Sequence, residues 1–129
     1  MGFELQIDPG TAVPIGQQIV DGLRWAVAAG GLRPGEAVPS VREMAVRLRV
    51  NPNTVARAYR RLVEDGILSV RRGEGTFVAD PPAGGVEGLR EQELSLAAGR
   101  FVEVARRLGA GVQQATRAVE RAWKEVDRG

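Results

Sequence analysis

Arginine is concentrated in about a quarter of this chain. Residues 40–73 contain eight arginines and three acidic residues, a local charge of +5, whereas the whole chain of 129 residues carries only +2. A guanidinium group stays charged near neutral pH and donates paired hydrogen bonds to phosphate, carboxylate or a guanine edge. Such a concentration of one charge is typical of a surface that binds a polyanion. A solvated helical face of basic composition is the alternative that charge alone leaves open.

Two helical patterns carry most of these arginines. Residues 40–43 read Ser-Val-Arg-Glu, a capping box in which a hydroxyl and a carboxylate satisfy free backbone amides. Apolar residues follow at helical spacing until Arg49-Val50-Asn51 interrupts them. Asn51 and Pro52 then suit the cap and the first position of a second helix, which Gly66 ends. The residues that this second helix is predicted to bury are Val55, Ala58, Tyr59 and Leu62.

A β-hairpin is predicted directly after the second helix. Two short β-rich runs, with Ile67, Leu68 and Val70 before and Thr76-Phe77-Val78 after, flank Arg71-Arg72-Gly73-Glu74-Gly75. Glycines in a short loop between such runs favour a hairpin. Gly73 and Gly75 allow the tip to turn tightly. Two helices joined by a tight turn and followed by a hairpin form a winged helix-turn-helix.

The N-terminal residues predict a short strand and one further helix. Phe3, Leu5 and Ile7 alternate with polar residues, which indicates a half-buried strand. A helical apolar stripe follows Pro14, and Gly30-Gly31 is expected to end that helix.

The remaining residues predict a linker and a helical tail. Residues 81–88 are rich in proline and glycine, so we place a linker between a domain of residues 1–80 and a tail of residues 89–129. Two apolar series recur every seven positions in the tail: Leu94, Phe101, Leu108 and Val112, Val119, Val126. We interpret the tail as two antiparallel helices, and the whole chain as a mostly helical α+β protein. A helical pair cannot bury two apolar faces by itself, so we expect it to form a dimer with its copy rather than fold back.

A winged helix-turn-helix of this charge suits duplex DNA. The major groove admits one α-helix, and the second helix of the motif enters it N-terminal end first. Asn53 and Thr54 near that end can reach base edges or phosphates, and Arg57, one turn further on, is predicted to lie on the same side as both. Arginines of the wing can enter a minor groove. The candidate DNA-binding residues are Arg42, Asn53, Thr54, Arg57, Arg71, Arg72, Gly73 and Gly75.

Structural alternatives exist for several polar and aromatic residues. Asn51 and the Ser40–Glu43 pair are interpreted as helix caps. Thr54 and Arg57 can also be surface residues without a DNA role. Arg60 and Arg61 are expected to touch phosphate or solvent, and Tyr59, Trp25 and Trp123 to pack.

Residue types that the chain lacks exclude several kinds of site. Cysteine and histidine are both absent, which removes disulfides, thiolate metal sites and the commonest general base. No other constellation supports catalysis or a cofactor, so an enzyme is the weakest interpretation. The residues show neither a signal-peptide pattern nor an apolar run of membrane-spanning length, so we expect a cytoplasmic protein.

The sequence resembles a known family of regulators. The segment "GGLRPGEAVPSVREMAVRLRVNPNTVARAYRRLVEDGILSVRRGEGTFVA", with Pro14-Ile15 and Gln18-Ile19 before it, is similar to the N-terminal domain of GntR-family bacterial transcription regulators. "VNPNTVARAY" and the short helical tail resemble the YtrA-like group. Glu74 departs from the basic or neutral residue common at that wing position.

The resemblance implies a homodimer that binds a palindromic operator, usually as a repressor. In the YtrA-like group the tail serves dimerisation, and targets often include neighbouring ABC-transporter operons. The expected partners are thus double-stranded DNA and a second copy of the chain. A protein-binding winged helix and a nonspecific DNA-binding protein stay open as alternatives. No residue pattern identifies a small-molecule effector.

Overall fold

The computed structural model describes residues 3–129. Within that range the chain forms five α-helices and one antiparallel two-stranded sheet. Their bounds are α1 Ile15–Ala29, α2 Val41–Leu48, α3 Pro52–Glu64, β1 Leu68–Arg71, β2 Gly75–Val78, α4 Gly85–Arg107 and α5 Val112–Arg128. This order is a winged helix-turn-helix followed by two C-terminal helices, and it confirms the predicted fold class.

The core of the N-terminal unit lies where α1, α2, α3 and the hairpin meet. α1 contributes residues at helical spacing, among them Ile19, Leu23 and Val27, all fully buried. Gly30 ends α1 in the left-handed conformation, at φ +89°, as its position after the apolar stripe predicts. The largest fully buried side chains of the core are Ile19, Leu23, Leu32, Leu62, Ile67 and Leu89.

The hairpin receives a third strand segment from the loop before α2. Within the hairpin, Leu68 pairs with Val78 and Arg71 with Gly75. Ala37 forms an isolated bridge with Phe77, and the Val38 N–H donates to the Thr76 carbonyl at 2.9 Å. The base of the wing is therefore hydrogen-bonded on both sides of β2, while its tip is held only by the turn.

The predicted N-terminal strand is wrong. Phe3, Leu5 and Ile7 are half-buried and the residues between them exposed, so the predicted alternation is present. No strand forms there, because no backbone partner lies beside the segment. It packs as an extended strap on α1, where Leu5 occupies the space that a side chain at Gly22 would fill.

α4 begins earlier than the sequence indicates. Its first residue, Gly85, lies inside the segment predicted to be a linker. Leu89 is only 1% exposed and belongs to the core of the N-terminal unit. Arg90 Nε donates to the Ala28 carbonyl at 3.0 Å. The packing of the N-terminal unit therefore extends to Glu93.

A charged cluster holds this first part of α4 against α1. Arg24 lies 2.8 Å from an Asp65 oxygen at the end of α3 and 3.0 Å from a Glu93 oxygen. Trp25 Nε1 donates to the other Glu93 oxygen at 3.1 Å. Arg24 and Glu93 side chains are each only 13% exposed, so this pairing is better shielded from solvent than a surface ion pair.

The second unit, Leu94–Gly129, exposes most of its apolar side chains. Ala105 is buried beside the turn that joins α4 to α5, and Gly109 there has φ +75°. Both heptad series are exposed, from 38% at Phe101 to 79% at Leu108. Trp25 of the first unit and Trp123 of the second were predicted to pack, yet they are 52% and 70% exposed.

Among residues 3–129, no helix combines the length and the apolar composition needed to cross a bilayer.

Candidate nucleic-acid interface

The second helix of the helix-turn-helix, α3, has one buried and one charged side. Its buried residues are those predicted: Val55, Ala58, Tyr59 and Leu62. At 3.6 residues per turn, Asn53, Arg57 and Arg60 fall on the opposite side, and all three are exposed. Arg60, for which the sequence predicted contact with either phosphate or solvent, thus shares a face with Asn53 and Arg57. Helical spacing by itself was the signal that could have grouped them.

The first turn of α3 is organised by its cap. The Asn53 N–H donates to Asn51 Oδ1 at 2.8 Å, which confirms that Asn51 is the cap. Thr54, which was predicted to lie on the same side as Asn53 and Arg57, is not fully on the exposed side of α3 that carries Asn53, Arg57 and Arg60, called the outward face below. It is half-buried, and its methyl group lies 3.6 Å from the position of a Cβ on Gly16 of α1. Thr54 therefore borders the outward face on the α1 side, where a hydroxyl near a helix start can still reach a phosphate.

Tyr59 fixes α3 relative to the segment before α2. It is 4% exposed, and its hydroxyl donates to the Pro39 carbonyl at 2.7 Å. Burial raises the pKa of Tyr59 well above its ordinary value; the Arg47 charge opposes this shift and the Glu43 charge adds to it. Tyr59 is thus a neutral hydrogen-bond donor that positions the outward face of α3.

The capping box at the start of α2 is complete. The Glu43 N–H donates to Ser40 Oγ at 3.0 Å, and the Ser40 N–H donates to Glu43 Oε1 at 2.9 Å. The backbone hydrogen bond from Ser40 is the main reason that the pKa of Glu43 is lowered. Arg42, one of the predicted contacts, lies exposed in this first turn. Ser40 and Glu43, and not Arg42, form the cap, so the exposed Arg42 side chain is available to a ligand.

The wing presents arginines at a tight turn. The Glu74 N–H donates to the Arg71 carbonyl at 2.9 Å, and Gly73 adopts φ +78°, which favours glycine. Arg72 and Gly73 are exposed at the tip, and Gly75 begins β2 at φ +125°. The Arg71 guanidinium lies 4.0 Å from the centroid of the Phe77 ring, a cation–π contact that restricts its orientation.

Arg61 is committed to the protein itself. Its Nη1 donates to Gln17 Oε1 of α1 at 3.2 Å, and its Nε lies 3.8 Å from an Asp65 oxygen. It contributes to the α1–α3 contact and lies one helical turn after Arg57, at the α1 edge of the exposed face. The sequence could not show that Arg61 has a partner, because Gln17 on α1 is remote in the chain.

Two comparisons assign the chain to a family. A family model described as "Bacterial regulatory proteins, gntR family" matches residues 15–78. The HTH-type transcriptional regulator Rv1152 of Mycobacterium tuberculosis is 40% identical over 102 residues, which cover 78% of this chain and 74% of that protein. The chain belongs to the GntR family. This membership confirms the resemblance found in the sequence and places the chain in a family of bacterial regulatory proteins.

The similarity includes YtrA itself. The HTH-type transcriptional repressor YtrA of Bacillus subtilis is 41% identical over 76 residues, which cover 59% of this chain and 58% of that protein. The chain thus spans somewhat more than half the length of this curated relative.

Solved structures share the fold of this GntR-family chain. A GntR family transcriptional regulator from Listeria monocytogenes is 29% identical, with a TM-score of 0.77, and the match covers 89% of this chain and 98% of that chain. The DNA-binding domain of AraR, solved in complex with operator ORE1, is 26% identical, with a TM-score of 0.51, and the match covers 60% of this chain and 94% of that chain.

Proposed function

We propose that this GntR-family chain is a transcriptional repressor that binds a palindromic operator as a homodimer. The observation that carries the proposal is the charged side of α3, where Asn53, Arg57 and Arg60 lie exposed opposite the buried residues. A helix with this division can rest on its own domain and still offer side chains to a major groove. The named function of the similar YtrA protein supports the repressor assignment.

Each predicted contact has a distinct proposed role. Arg57 binds a guanine edge through two hydrogen bonds, and Asn53 binds an adenine edge or a phosphate. Thr54 and Arg42 contact phosphates on the two flanks of α3. In the wing, Arg71 and Arg72 enter a minor groove, where Gly73 and Gly75 permit a close approach. The stack on Phe77 supports this role for Arg71, since less orientational freedom is lost on binding.

The first experiment measures binding to the promoter region of the protein's own operon, in a salt series with and without nonspecific competitor duplex. We expect specific retention of one dimer per inverted repeat. Arg57→Ala should lower discrimination between operator and mutated operator by about 1–3 kcal/mol per half-site. Arg71→Ala should weaken operator and nonspecific binding equally and reduce the salt slope by about 1 per contact.

Arg107→Ala is the matched control for these variants. It removes one exposed arginine from the second unit, far along the chain from the helix-turn-helix. It should leave both discrimination and slope unchanged. If nonspecific competitor DNA abolished the binding of the wild-type protein to the promoter duplex, sequence-specific binding would be contradicted. If Arg57→Ala and Arg71→Ala both bound DNA like the wild-type protein, the assigned contacts would be contradicted.

The proposed dimer forms through the second unit. On α5, Val112, Val119 and Val126 recur every seven residues and are 78%, 46% and 78% exposed. A stripe of this period favours near-parallel packing of helices, and a second copy of the chain offers the identical stripe. Val119→Asp should convert the dimer into a monomer in sedimentation velocity, because it places a charge in the middle of the stripe.

Gln114→Asp provides the control for the dimer. It introduces the same charge on the polar side of α5 and should remain dimeric. A wild-type monomer, or dimers of equal affinity for both variants, would contradict the proposed interface. The promoter of an ABC-transporter operon is the second DNA probe, because the similarity to the YtrA-like group implies such targets.

A further inference from the structure

Helices α1 to α4 end in the same hydrogen-bonded motif. After α2, the Val50 N–H donates to the Ala45 carbonyl at 3.0 Å and the Arg49 N–H donates to the Val46 carbonyl at 3.3 Å. The same pair of bonds, spanning five and three residues, follows α1, α3 and α4. This Schellman motif requires a left-handed residue just after the helix, and glycine is the usual occupant because it has no Cβ to clash.

Glycine occupies that position in three of the four motifs. Gly30, Gly66 and Gly109 have φ values of +89°, +77° and +75° after α1, α3 and α4. After α2 the position is taken by Arg49, with φ +56° and ψ +49°. Among residues 3–129, Arg49 is the only residue other than glycine with a positive φ. A left-handed conformation is unfavourable for a long side chain, so the chain retains an unfavourable residue at this one turn.

The position of Arg49 indicates what the side chain could provide. It lies in the turn of the helix-turn-helix, two residues before Asn51, the cap of α3. Arg49 is exposed, and within the described residues it forms no ion pair. A positive charge beside the start of a groove-binding helix lies where the phosphate backbone must pass.

We propose that Arg49 binds a backbone phosphate of duplex DNA beside the start of α3, and that this contact accounts for an arginine where the fold favours glycine. The proposal rests on the DNA-binding function proposed above and adds a contact to it. The contact is independent of base sequence, and it occurs once per half-site, hence twice per dimer.

The test uses two variants of the full chain and two probes. Arg49→Gly removes the charge and suits the left-handed position, whereas Arg49→Lys keeps both the charge and the strain. The probes are the duplex from the protein's own promoter region and a scrambled duplex of equal length. Each protein is titrated in a salt series, and its melting temperature is measured without DNA.

We expect opposite effects of Arg49→Gly on stability and on binding. The melting temperature should rise by about 2–5 °C, because the unfavourable conformation is relieved. Affinity for both duplexes should fall about tenfold or more, since two charge-assisted contacts per dimer are lost. The salt slope should decrease by about 1.8 per dimer, which corresponds to two phosphates. Arg49→Lys should retain the wild-type slope and melting temperature.

Three outcomes would overturn the inference. Unchanged affinity and slope for Arg49→Gly, with wild type still specific for the promoter duplex, would remove Arg49 from the interface and leave the DNA-binding function intact. A lower melting temperature with an unchanged slope would assign Arg49 to the C-terminal dipole of α2. Binding of wild type to neither duplex would overturn the DNA-binding function together with this contact.

Discussion

The hydroxyl of Tyr59 joins the helix that carries the candidate contacts to the segment before α2, and its removal has a predictable effect on stability. Tyr59→Phe keeps the buried ring and removes the donor to the Pro39 carbonyl, 2.7 Å away. The carbonyl is then left without its partner in a half-buried position. A loss of this kind should lower the free energy of unfolding by about 1–2 kcal/mol near neutral pH.

The same hydroxyl gives this prediction a distinctive pH dependence. Burial raises the pKa of Tyr59 above its ordinary value of 10.0, so in the unfolded chain the phenol ionises at lower pH than in the folded chain. The stability that this shift contributes is fully present below about pH 10. Above that pH the unfolded state binds fewer protons, and wild type loses about 1.4 kcal/mol per pH unit. The deficit of Tyr59→Phe should therefore vanish within about one to one and a half units above pH 10.

Urea denaturation of both proteins across this pH range tests the prediction. Other groups titrate equally in both proteins, so the difference between their unfolding free energies isolates Tyr59. Because the chain has only one tyrosine, tyrosinate absorbance reports the ionisation of Tyr59 directly. Equal stabilities of the two proteins near neutral pH would refute the stabilising hydrogen bond. A difference in stability that stays constant above about pH 10 would refute the argument that burial raises the pKa of Tyr59.

Two further substitutions test local packing. Ser40→Ala should lower the free energy of unfolding by about 1 kcal/mol, because it removes the cap of α2. The control Ser95→Ala, at an exposed position of α4, should not lower the stability. Equal effects of the two substitutions in thermal denaturation would argue against the capping box. Gly22→Ala should stabilise α1 by about 1 kcal/mol only when Leu5 is also replaced by alanine, because the Leu5 side chain otherwise occupies the space of the added methyl group. Additive effects of the two substitutions in a double-mutant cycle would show that Leu5 does not pack against Gly22.

The bounds of the helix-turn-helix could be predicted because their signals are local. Capping by Ser40 and Asn51 and the end of α1 at Gly30 depend on residues two to four positions away. The sequence also grouped Asn53 and Thr54 with Arg57, and in the structure Asn53 and Arg57 share the exposed face whereas the half-buried Thr54 lies at its border. These contacts with DNA stay predictions, since their partner is not part of the chain.

The N-terminal strap shows where local signals fail. The alternation at Phe3, Leu5 and Ile7 correctly indicated one half-buried side. Whether such a segment becomes a strand depends on a backbone partner elsewhere, and here the neighbour is α1, whose backbone bonds are already used.

The sequence by itself therefore determined the order of elements, the two helix caps and the arginine-rich character of the helix-turn-helix and wing. Only the tertiary structure decided which arginines remain available. Arg24 and Arg61 are paired with acids or amides that lie far away in the chain, while Arg57 and Arg60 are exposed on the outer side of α3. Their different environments follow from packing between distant segments, which composition and spacing do not encode. The left-handed conformation of Arg49, at a position that glycine occupies after α1, α3 and α4, is likewise a feature that only the structure shows.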